Sequence, residues 1–193
     1  MRTIDFTIKG TAPLMFSKEP IAYEDSEAKT SRKSKSDSPV EIAKRCLHTT
    51  KNGKGELAVI PAHSLLKAVF SVITVALGRS TRKSWVKIVQ GALKIEPSML
   101  VIDPQEWTLD VRRAGTKGGG TGALLYRPRF DVWQASGTAL YEDDETYGLS
   151  GSQVRTLFDI AGRFDGLGSY RIGNRGPFGS FSVVNWNEEE KVG

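Results

Sequence analysis

Between residues 166 and 181 the chain reads Gly-Leu-Gly-Ser-Tyr-Arg-Ile-Gly-Asn-Arg-Gly-Pro-Phe-Gly-Ser-Phe, with five glycines, two arginines and three aromatics in sixteen positions. This stretch constrains the fold more than any other. It joins an amphipathic helical pattern (Val154, Leu157, Phe158, Ala161, Phe164) to an alternating strand pattern running from Ser180 to Trp186. Glycine lets a backbone take positive φ and approach a ligand closely. Amides exposed in such a turn can form an anion-binding nest, and Arg171 and Arg175 add charge and planar donors. The ligand this predicts is a phosphate, or several in a row, with Gly168, Gly173 and Gly176 at the backbone approach.

At 193 residues, 39% of them hydrophobic, the chain can bury one sizeable core, so a single domain over 1–193 is expected. No apolar run approaches the roughly 18 residues of a membrane span. The longest, Leu65 to Leu77, is interrupted by Lys67, Ser71 and Thr74. The N-terminus starts directly on a strand pattern, without the features of a signal peptide, so a cytoplasmic protein with no membrane partner is expected. A lone cysteine, Cys46, excludes an internal disulfide and a cysteine-based zinc site.

The net charge of +5 is unevenly spread. Lys29 to Arg45 holds six basic residues against two acidic, and Leu109 to Phe130 five against one. Acidic residues gather instead at Glu142–Glu145 and Glu188–Glu190. Segregated positive charge of this kind is the footprint of a polyanion binder.

Along the chain, Thr3 to Lys9 alternates as a half-buried strand. A polar, basic insertion follows over 22–45, with too little apolar surface to order itself unaided. Lys51-Asn52-Gly53-Lys54-Gly55 predicts a hairpin turn between strands at 45–50 and 56–60. The run from Pro61 to Leu77 predicts a deeply buried helix ended by Gly78. Trp85–Val89 and Met99–Ile102 read as strands. Residues 107–130 predict a protruding hairpin with a flexible, cationic, glycine-rich tip, which lacks the Gly-Lys-Ser/Thr ending of a nucleotide-binding P-loop. Asp131 to Tyr141 reads as another strand. Two main helices among antiparallel strands predict an α+β fold, and a ferredoxin-like or RRM-like antiparallel sheet fits this order.

A second motif lies upstream. Val59-Ile60-Pro61-Ala62-His63-Ser64-Leu65-Leu66-Lys67-Ala68-Val69 resembles the "strand, Ile-Pro-Gly-Ser-Ser-Leu-Lys-Gly" pattern that opens the first helix in the RAMP superfamily. The order helix, Gly-x-Gly, Arg, Gly-x-Phe-Gly, strand resembles that family's C-terminal glycine-rich loop. This is the RRM-like family that supplies backbone and guide-processing subunits to CRISPR effector complexes. His63 departs from a position that is usually small, and Ala68 from the usual glycine. The resemblance covers two short motifs and their order, about thirty residues. It implies an RRM-like fold, a thumb or clamp formed by residues 22–45, and self-association along a guide strand or membership of a ribonucleoprotein. A standalone viral relative would look the same.

Catalytic chemistry is sparse. His48 falls on a predicted strand and His63 opens a predicted helix, and no motif surrounds either. Glu24 and Asp25 lie where a target-cleaving backbone subunit would carry an acidic residue, but in a polar, lysine-rich loop. No catalytic residue, metal site or cofactor is assigned. Binding chemistry is plentiful: Arg171 and Arg175 in the glycine-rich loop; Arg112, Arg113, Lys117, Arg127 and Arg129 on the hairpin; Lys33 and Lys35 in the insertion. Such contacts give salt-sensitive, sequence-independent affinity. Tyr126 and Tyr170 are the candidate base-stacking aromatics, whereas Trp133 and Phe178 are assigned to the core. The expected function is non-catalytic binding of single-stranded nucleic acid, RNA in preference to DNA. The alternatives are a protein-binding inhibitor or assembly module on the same fold, and an endoribonuclease of the guide-processing type.

Overall fold

A computed structural model describes residues 1–17, 38–53, 55–78, 84–113, 124–144 and 146–189. The architecture is α+β, with a mostly antiparallel main sheet and five helices among the described residues. Strand β1 (Arg2–Gly10) lies inside that sheet. It runs antiparallel to β10 (Phe181–Glu189) on one side and to β9 (Gln134–Tyr141) on the other. Beyond β9 come β5 (Leu93–Glu96) and β6 (Met99–Asp103), then β4 (Gly55–Pro61) and β3 (Thr49–Asn52). A smaller sheet holds β2 (Leu14–Met15), β8 (Leu124–Phe130) and β7 (Thr108–Arg113), in that order.

Alternation decides which face of the main sheet is buried. Ile4, Phe6 and Ile8 of β1 point to the core, as do Ala135, Ala139 and Tyr141 of β9. Helices α2 (Ala62–Ser71) and α5 (Gly151–Phe164) cover that face, with α3 (Ile73–Leu77) and α4 (Trp85–Ala92) packed against them. Phe158 of α5 sits edge-on between Phe6 at 5.0 Å and Trp186 at 5.5 Å. On the opposite face β1 is polar. There Thr7 and Ser136 pair at 2.9 Å, and Thr138 donates to Asp5 at 2.6 Å.

β5 and β6 behave as one interrupted strand against β9. Glu96 pairs with Thr138 and Ile102 with Ala135, so residues 97–101 stand opposite only 136–137. The surplus lets Met99–Val101 turn outward to pair with Pro61–Val59 of β4. The Ser98 carbonyl then accepts the Ala62 amide at 2.8 Å and fixes where α2 begins.

Three expectations are corrected. The helix foreseen over 61–77 breaks at Val72 (φ −105°, ψ 1°) into α2 and α3. Val72, Ile73, Thr74 and Val75 are all β-branched, and the Ser71 hydroxyl donates to the Ala68 carbonyl at 2.7 Å, so both side-chain crowding and back-bonding weaken the helix there. Trp85–Val89 is helical rather than extended: Trp85, Ile88, Val89 and Ala92 share one face at helical spacing, and all pack against the core. The expected pair of main helices therefore becomes five. Finally, residues 39–45 form helix α1 (Pro39–Arg45) instead of continuing the insertion into a strand. Ser38 caps it, with Glu41 reaching back to the Ser38 amide, and α1 packs on β7 and β8.

The 107–130 hairpin forms as β7 paired with β8, and Asn52 faces Gly55 across the predicted turn. The rest of the 22–45 insertion with Lys33 and Lys35, and the hairpin tip with Lys117, lie outside the described residues. No helix among the described residues is long and apolar enough to cross a membrane.

Candidate functional site

The glycine-rich loop leaves α5 at Asp165 and folds back over β2 before entering β10. Its amides are largely engaged by the protein itself. Leu167 donates to Gly179, Ser169 to Met15, Gly173 to Asp165, Phe178 to Tyr170 and Gly179 to Pro13, all at 2.7–3.1 Å. A single 3-10 turn (Ile172–Asn174) occupies its tip. The glycines serve this internal packing. A Cβ on Gly176 would overlap the Tyr170 carbonyl oxygen, and one on Gly173 would overlap the Asp165 carboxylate. The expected nest of outward-facing amides is thus mostly turned inward, and side chains carry what the loop presents. Tyr170 (φ 51°) and Arg175 (φ 60°) both take left-handed backbone despite bearing side chains. Such conformations cost energy and persist where the surroundings impose them.

One flank of the loop meets the hairpin. The guanidinium of Arg112 lies 4.7 Å from the Phe178 ring centre and 5.6 Å from that of Tyr170, with Arg127 4.8 Å from Tyr170 on the same side of the hairpin. These contacts interleave cations and rings from two distant segments. Beneath them, the buried Asp110 accepts from Arg112 at 2.6 Å and from Arg129 at 3.3 Å. Hydrogen bonding from Arg112, then the charges of both arginines, hold the Asp110 carboxyl below the ordinary carboxylate range. Arg129 also pairs with Asp131 at 2.8 Å. Arg112 and Arg129, each held by an acid, are therefore poorer phosphate contacts than their sequence context implies. Cross-strand alternation places Arg113 and Tyr126 on the opposite face of the hairpin from Arg112 and Arg127. Tyr126 thus does not join the Tyr170 cluster. Arg113 and Arg175 are exposed, and neither makes an ion pair among the described residues.

The other flank lines a cleft of about 240 Å³. Its walls are His63, Ser64 and Lys67 from the start of α2, His48 from the turn before β3, Phe16 and Ser17 after β2, and Gly168, Ser169 and Arg171 of the loop. Arg171 donates through Nε to Asp165 at 3.3 Å. His48 stands edge-on to Phe16 at 5.9 Å. The two sequence motifs, a hundred residues apart, are brought together here. Lys67 and the two histidines were left out of the binding set by sequence reasoning. The available signal was His63 and Lys67 at i, i+4 on the first turns of α2, which puts them on one face.

No group of three or more His, Cys, Asp or Glu side chains gathers as a metal site among the described residues. Compared with protein-family models and with curated proteins, the chain matches none.

Proposed function

We propose that this protein binds single-stranded nucleic acid without chemical turnover, RNA in preference to DNA, as a RAMP-like protein. The observation that carries this reading is the placement of the glycine-rich loop between two cationic surfaces. On one side stands the Arg112–Tyr170–Arg127 cluster with exposed Arg113 and Arg175 nearby. On the other is the cleft holding Lys67 and Arg171. A strand crossing the loop meets phosphate partners on both sides and the half-exposed Tyr170 ring between them. The bases are read at the loop rather than on the sheet, because the open face of β1 and β9 presents threonine, serine, aspartate, lysine, glutamine and leucine and no aromatic ring.

A ferredoxin-like assignment accompanies this reading. It is supported by the order β10–β1–β9–β5, antiparallel throughout, with α2 between the first and second of these strands in sequence and α5 between the third and fourth, both on one face. Assembly along the strand, or membership of a cytoplasmic ribonucleoprotein, is its corollary.

Fluorescence anisotropy of labelled single-stranded RNA and DNA tests it. About four phosphate contacts predict a log–log salt slope near −3, so affinity drops roughly fifty-fold for a four-fold rise in salt. Arg127→Ala with Arg175→Ala weakens binding. No binding at micromolar protein and low salt would sink the reading.

One observation favours a second reading, a metal-independent endoribonuclease: both histidines of the chain line the same cleft, beside Lys67. Cleavage of unmodified RNA in chelator, lost in His48→Ala/His63→Ala while binding persists, would replace the first reading with this one.

A further inference from the structure

Resting on the nucleic-acid reading, we propose that Asp165 is a positioning residue. It holds Arg171 through Nε alone, so that both Nη groups of the guanidinium are set to take one phosphate. Three arginines around the glycine-rich loop are held by acids, and they are held differently. Arg112 gives Nε and one Nη to Asp110, at 2.6 and 3.1 Å. Arg129 gives Nε and one Nη to Asp131 and its other Nη to Asp110. Arg171 gives only Nε, to Asp165 Oδ1 at 3.3 Å, among the described residues. An acid on Nε leaves the end-on edge of the planar group, Nη1 and Nη2, in place for a two-pronged phosphate contact.

The pair is layered. The Asp165 side chain is 9% exposed and that of Arg171 24%. Arg171 lines the cleft and Asp165 does not, so a ligand there meets the guanidinium rather than the carboxylate. Arg171 is also pinned at its root. Its carbonyl accepts the Asn174 amide at 2.9 Å and the Gly176 amide at 3.0 Å, and its backbone bridges to Phe178. With the root and Nε both fixed, most of the rotamer freedom of the arginine is surrendered before a ligand arrives. Binding does not then have to supply that ordering. Asp165 is tied to Arg171 in turn. It sits at the C-terminal end of α5, where the helix itself favours a cation, and Arg171 is its ion-pair partner among the described residues. Its Oδ2 is buried with no hydrogen bond among those residues. Gly173 makes the room, since a Cβ there would overlap Oδ1.

The test is a double-mutant cycle on the affinity for rhodamine-labelled oligouridylate with 2′-fluoro sugars, which lack the hydroxyl that cleavage needs. Anisotropy is measured at fixed pH and salt. Asp165→Asn keeps the shape but makes the Nε bond a neutral one, roughly half as strong. Binding is expected to weaken about fivefold. Charge alone predicts the opposite sign, because the variant removes a negative charge from beside a polyanion site. Arg171→Lys keeps the charge without the fork and should bind as weakly as Arg171→Ala. In the Arg171→Lys background, Asp165→Asn should weaken binding no further. Unchanged or tighter binding by Asp165→Asn alone overturns the positioning role. Equal weakening in both backgrounds overturns it too, since Asp165 then acts on the loop as a whole. Should Asp165→Asn lose its native circular dichroism, the Arg171 variants decide: lysine restoring the affinity that alanine loses overturns the role. All of these leave the nucleic-acid reading standing. If the unaltered protein binds no oligouridylate at low salt, the nucleic-acid reading itself is overturned, and the positioning role with it.

Discussion

Gly176 and Asp110 show how single residues set the character of the site. Gly176 leaves room for the Tyr170 carbonyl, which holds Tyr170 in its left-handed conformation beside the two arginines. The neighbouring atoms are backbone and cannot swing aside. Gly176→Ala should therefore cost about 2 kcal/mol or more, a fall of roughly 4–8 °C in melting temperature for a chain of this size. An unchanged melting temperature would mean that the loop packs more loosely than this. Asp110 acts through charge. Because its pKa is depressed in the folded state, its contribution is complete above the unfolded value near 4 and fades as pH falls through the folded value. Asp110→Asn should lower stability by about 1 kcal/mol at neutral pH. In urea melts the gap to the unaltered protein should close on acidification below about pH 4. A gap that persists there would assign the loss to shape rather than to charge.

Among the elements, α5 does the most to place the site, since its C-terminus launches the glycine-rich loop. Its register against the sheet rests on Phe158, wedged between Phe6 and Trp186. Phe158→Ala should cost about 3–5 kcal/mol in denaturant melts and alter the tryptophan emission. The other end of the helix is held by Ser150 and Gln153, each bonding the other's backbone amide. Ser150→Ala should cost about 1 kcal/mol, with no effect on ligand binding at saturation. Sequence periodicity located α5 well: Val154, Leu157, Phe158 and Ala161 are all buried, and only Phe164 turns out to solvent, beneath Arg163. It failed at α4, where a window of five residues is too short to separate a two-residue from a 3.6-residue period. It failed again at Val72, where the hydrophobic pattern continues through a break caused by side-chain branching.

Across the whole molecule, charge is sorted along β1. Its first residues lie beside Glu142, Asp143 and Glu188, with Arg2 bridging the last two. Its last lie beside the glycine-rich loop, through Thr11 and Ser180. Nine extended residues separate the two ends by about 30 Å, well beyond a Debye length at physiological salt. Each end should therefore act on a polyanion independently. Arg113→Glu and Arg175→Glu should each shallow the salt slope of oligonucleotide binding by about 0.7 or more. Glu142→Gln should leave the slope unchanged. Equal effects at the two ends would place the strand elsewhere on the molecule.

The amino-acid sequence by itself determined what depends on neighbours in the chain. The alternation of β1, the Asn52-Gly53 turn, the paired strands of the 107–130 hairpin and the amphipathic face of α5 are all written in short-range periodicity and turn chemistry. Only the tertiary structure decided which charges are already satisfied and which side chains meet. Asp110 claims Arg112 and Arg129, Asp165 claims Arg171, and the loop amides bond inward to Met15, Pro13 and Gly179. His48 and His63 reach one cleft because the turn before β3 and the start of α2 both come up against the loop. A one-dimensional pattern records which face a residue occupies. Register and packing between distant segments decide what stands opposite it, and the chemistry of this site arises between such segments.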